Sequence, residues 1–156
     1  MRRLLLVLPV LLLVGACGGE AQPLVTFATG AASIAAKPAQ FCDLKVTDCQ
    51  KDDTAPVELA VPPGTPLTIT VPADVAATPW IVVFAYRDAG GQQVEGRGPL
   101  LGAGKPNEYA LQLPAPTDRL LGAQVQQFGA LPTASEGTTE ISFPIRATWV
   151  LTAAPA

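Results

Sequence analysis

The chain contains no histidine. Imidazole is the commonest general base near neutral pH and the commonest transition-metal ligand, so its absence excludes every serine or cysteine hydrolase triad built on that residue. Clustered cations are missing as well. Ten basic residues face thirteen acidic ones, a balance that argues against nucleic acid and against anionic lipid headgroups as partners. No apolar run is long enough to span a bilayer: the longest, residues 4–14, covers eleven positions, where a transmembrane helix needs about 20. Stretches with helical periodicity are scarce. Nucleotide-binding fingerprints fail too, because Pro99 and Leu101 in the glycine-rich stretch at 96–105, and Pro106 just after it, occupy the wrong positions for either a phosphate loop or a dinucleotide turn.

What stands at the amino terminus is an address. Arg2 and Arg3 form a positive lead-in to the apolar run, and Val14-Gly15-Ala16-Cys17 closes it. This ending resembles the lipobox of bacterial lipoproteins, in which the cysteine sulfur receives diacylglycerol and the chain is cut ahead of it. The polar flanks of a twin-arginine signal are absent, so the general secretory route is expected. Residues 1–16 therefore read as a cleaved signal peptide, residues 17–23 as lipidated Cys17 plus a short tether, and residues 24–156 as one domain. Several acyl chains on one residue hold a protein to a membrane effectively permanently. The expected location is extracytoplasmic, on the outer face of the cell membrane.

Only three cysteines are present. With Cys17 taken by lipid, Cys42 and Cys49 remain as a pair bracketing a six-residue hydrophilic loop, and outside the cytosol they are expected to form a disulfide. A redox-active pair would instead show the C-x-x-C spacing at a helix start. Asp43, Asp48, Asp52 and Asp53 crowd the same region, but no calcium-loop register or turn glycine accompanies them, and Lys45 and Lys51 partly neutralise the patch. It reads as a solvated loop, with no metal site and no cofactor.

Elsewhere, period-two alternation dominates. Residues 24–29 and 31–36, separated by Gly30, read as a first hairpin or as one strand with a bulge. Val57, Leu59 and Val61 share one face of a strand, and Leu67, Ile69 and Val71 share one face of the next. Residues 80–86 are apolar at every position, which predicts a strand covered on both faces in the middle of a sheet. A turn at Asp88-Ala89-Gly90-Gly91 leads to a polar strand at 92–95. Tyr109, Leu111 and Leu113 mark another strand. Residues 120–128 fit either a helical stripe or a strand with Leu121, Ala123 and Val125 inward; the β context favours strand. Ile141, Phe143, Ile145, Ala147, Trp149 and Leu151 alternate along the last run, with Pro144 on its other face.

Seven to nine short strands separated by turn signals predict an all-β, immunoglobulin-like β-sandwich. Phe41-Cys42-Asp43, Cys49, the strand bounded by Pro66 and Pro72, Pro79-Trp80 and Trp149-Val150-Leu151 together resemble the DUF2771 family of actinobacterial exported proteins. That resemblance implies an envelope lipoprotein of mycobacteria or their relatives, in a family without an established activity, and it carries over no functional residue. The expected role is a non-catalytic binding or scaffold domain for an envelope protein or other component. The alternatives are capture of a small molecule, lipid or glycan, with Trp80, Tyr86 or Trp149 as stacking rings, and a hydrolase using Glu95, Glu108 or Asp118, which nothing in the sequence brings together.

Overall fold

Among the described residues, the alternating stretches form strands. The structure, a computed structural model, describes residues 22–30, 32–129, 133–134 and 141–155; the expected signal peptide, Cys17 and most of the tether lie outside the described residues. The elements run β1 (Val25–Thr29), β2 (Ala32–Ala36), β3 (Gln40–Cys42), β4 (Cys49–Lys51), β5 (Val57–Ala60), β6 (Leu67–Thr70), the single turn α1 (Ala73–Ala76), β7 (Trp80–Arg87), β8 (Gln93–Arg97), β9 (Glu108–Leu111), β10 (Arg119–Phe128), β11 (Thr133–Ala134), β12 (Ile141–Ser142) and β13 (Ile145–Ala154).

They assemble into a sandwich of two sheets. The smaller has the order β2-β1-β6-β9. The larger runs β4-β3-β13-β10-β7-β8, with β5 added in parallel to β13. β3 and β5 divide β13 between them: β3 pairs antiparallel with Ala147 and Thr148, and β5 pairs from Leu151 to Ala154. The two sheets hold eleven strands, more than the seven to nine expected. The extra pair, β3 and β4, has three residues each, too short for alternation to register in sequence.

The core lies between the sheets. Val25, Phe27, Leu67 and Ile69 from the small sheet meet Trp80, Val82, Val125, Trp149 and Leu151 from the large one, all of them buried. Each such side chain contributes roughly 1.5–3 kcal/mol by leaving water. The Trp149 indole N–H donates to the Pro23 carbonyl at 2.9 Å, which fixes where the chain enters the sandwich.

Three expectations are corrected. β7 is not central: β10 and β13 take the middle, and β7 has only the edge strand β8 beyond it. Its inward Trp80 and Val82 are buried, but outward Ile81, Val83 and Ala85 stay half-buried. In β10 the register with β7 shifts between Leu120 and Gly122. This bulge buries Leu120 and leaves Leu121 half-buried, because an extra residue moves the side chains after it to the other face. Finally, the last run is interrupted. β12 and β13 are separate, and Phe143 is exposed, because proline at 144 supplies no ladder donor.

Candidate functional site

Val83 and Ala85, outward on β7, floor an open groove of about 660 Å³ on the outer face of the large sheet. Two small residues create the hollow. Ala85 and Gly122 are direct cross-strand partners, and neither fills the space above the sheet. Gly122 is required by packing: a Cβ there would lie 2.9 Å from the Leu151 carbonyl oxygen, closer than real side chains approach. On one wall, β8 aims Gln93, Glu95 and Arg97 outward, because Phe84 presses against Gly96 from the inner face, where a Cβ would meet the ring at 2.5 Å. Gln124, Val150 and Thr152 line the other side. The result is a largely apolar floor with a polar rim, carrying one carboxylate and one guanidinium on a single strand.

This arrangement suits binding through shape and mixed polarity. The carboxylates considered for catalysis do not converge. Glu95 is on the groove wall, Glu108 is exposed on β9 in the other sheet, and Asp118 is buried at the entry to β10, where it accepts a hydrogen bond from the Ala115 N–H at 3.0 Å. The proposed stacking rings are also placed elsewhere: Trp80 and Trp149 are completely buried in the core, and Tyr86 sits half-buried beside Phe84 at 6.2 Å between ring centres.

Cys42 and Cys49 are joined in a disulfide and are register partners across the β3–β4 hairpin. Two of the acidic residues there, Asp43 and Asp52, accept hydrogen bonds from their own loops. Asp43 Oδ1 accepts from the Thr47 N–H at 2.7 Å and the Asp48 N–H at 3.2 Å, and Oδ2 accepts from the Thr47 hydroxyl. The Thr47 backbone donor, then that of Asp48, holds the Asp43 carboxyl below its ordinary pKa. The Thr54 hydroxyl, followed by the Thr54 N–H, does the same for Asp52. Among the described residues no group of three or more metal-ligating side chains gathers.

Of the groove residues, sequence reasoning singled out Glu95 as a candidate carboxylate and placed residues 80–86, Leu121, Ala123 and Leu151 in strands, without bringing them together as a site. One signal for them was present: β7 carries more apolar surface than an outer-face strand needs. Mistaking that excess for two-sided burial hid the site.

No curated protein matches the chain, and no solved structure does. A family model described as a protein of unknown function, DUF2771, matches residues 18–154. With nearly the whole sandwich inside that match, the chain belongs to the DUF2771 family.

Proposed function

We propose that this protein is an extracytoplasmic, lipid-anchored binding module that captures an envelope protein or other component in the groove of its large sheet. The observation that carries this reading is Val83 and Ala85, apolar side chains on the groove floor that the fold leaves half-buried on an outer face. Contiguous apolar surface rimmed by polar groups is what a recognition site presents. The lipobox-like ending at Cys17 and the Cys42–Cys49 disulfide support a location outside the cytosol, since disulfides persist in oxidising compartments.

The test fills the groove without touching the core. Ala85→Trp places a large ring on the outer face, and its effect is read by crosslinking in intact membranes followed by mass identification. A component captured by the native protein and lost with Ala85→Trp supports the reading. Equal capture by both, with the variant folded by circular dichroism, rules out the groove as the site.

A further inference from the structure

Four large apolar side chains are exposed among the described residues: Leu24 at 48%, Leu44 at 65%, Leu100 at 62% and Phe143 at 49%. They are far apart in sequence, yet the topology brings them all to one end of the sandwich. Leu24 precedes β1, whose Thr26 pairs with Thr70 at the close of β6. Leu44 lies in the loop between β3 and β4, beyond Cys42, whose carbonyl accepts from Arg146 Nε at the start of β13. Phe143 adjoins Pro144, which pairs with Gly129 just past β10. Leu100 is next to Leu101, which bridges to Trp80 at the start of β7. The opposite end carries the turns at 62–65, 88–91 and 115–118, and none of these four side chains.

The chain enters at the same apolar end. Gln22 Nε2 contacts Gln50 Oε1 on β4 at 3.5 Å, and Pro23 is held by Trp149. Cys17 is five residues ahead of Gln22, so at ~3.6 Å per residue the link spans at most about 18 Å, however it is arranged. The ten residues of β13 extend roughly 33 Å at ~3.3 Å each. The link is thus shorter than the sandwich is long, and it sets the apolar end against whatever surface holds Cys17.

We propose that this end rests on the membrane interface, with Leu24, Leu44, Leu100 and Phe143 seated among the lipids and the opposite end pointing away. The proposal depends on Cys17 being the lipid anchor. Charges at the docking end are mixed: Lys45, Lys105 and Arg146 lie among Asp43, Asp48 and Asp74, and the Arg146 guanidinium is already engaged over the Phe41 ring at 5.0 Å. Contact is therefore apolar and insensitive to the fraction of anionic lipid. Seating the sandwich this way holds its long axis off the membrane and leaves the groove on its side open to the surrounding space.

The test uses the full chain, expressed in a lipidating host and reconstituted into phosphatidylcholine vesicles. Single Leu44→Cys, Leu100→Cys and Phe143→Cys variants carry an environment-sensitive fluorophore, and Ala89→Cys at the far end is the control. Mass analysis of the Cys17 peptide and vesicle flotation report the anchor separately. The expected result is acylated, floating protein whose three tip labels are quenched severalfold more strongly than the label at 89 by a spin-labelled lipid, with no change on adding phosphatidylglycerol. Acylated protein whose tip labels match position 89 overturns the docking and leaves the anchor standing. Tip labels shielded from water but untouched by the lipid quencher indicate a protein cover, including a second copy, and also overturn it. An unmodified Cys17 with no flotation removes both the anchor and the docking.

Discussion

At Asp43, one carboxylate organises a whole loop. Its three hydrogen bonds to Thr47 and Asp48 stabilise the charged form, so folding lowers its pKa below the ordinary 3.8. A group whose pKa falls on folding contributes stability that is complete above the unfolded value and is lost as pH drops through the folded one. The Thr47 and Asp48 amide resonances are therefore expected to shift together at a pH below 3.8, and Asp43→Asn should abolish that titration. A midpoint at or above the ordinary value in an acid NMR series would contradict the geometry. Val46, inside the same loop, holds φ at 57°, a conformation that costs a β-branched residue about 1–2 kcal/mol. The Asp43 hydrogen bonds that close the loop help to hold it there.

Among the elements, the β3–β4 hairpin and the β10–β13 pair make opposite demands. The hairpin strands have three residues each, so the Cys42–Cys49 bond supplies closure that pairing alone would not. An eight-residue ring removes unfolded-state entropy worth ~2.5 kcal/mol. Cys42→Ser with Cys49→Ser is expected to lower the unfolding free energy read from urea denaturation by about that amount, with the fold retained because the main core lies elsewhere. β10 and β13 depend instead on close approach. Gly122→Ala would press its methyl against the Leu151 carbonyl and push the two central strands apart, at a cost of roughly 1–3 kcal/mol. Thermal unfolding by circular dichroism measures that loss; an unaffected midpoint would mean the strands separate freely.

For the molecule as a whole, two sheets share one core, and both tryptophans lie within it. Trp80 enters from β7 and Trp149 from β13, and both are inaccessible to solvent. Acrylamide should scarcely quench the native emission, and access should appear in one cooperative step on unfolding, as a single domain of this size behaves. Substantial quenching of the folded protein would refute the core assignment. The molecule is also polar along its length: exposed large apolar residues and chain entry share one end, while the groove runs along the outer side of the large sheet.

Alternation in the sequence determined a good deal. Val57-Leu59, Leu67-Ile69 and Tyr109-Leu111 read as strands because side chains on a pleated backbone alternate faces, and the spacing of Cys42 and Cys49 allowed their pairing. Local pattern could not determine neighbours. Whether Ile81, Val83 and Ala85 were to be covered depended on which strands flanked β7 and what lay over them, and those partners come from distant parts of the chain. The bulge that turns Leu121 and the shared end of Leu24, Leu44, Leu100 and Phe143 are likewise products of register and sheet order. Periodicity tells a residue which side to face; only the assembled sheets decide whether that side meets core, solvent or a partner.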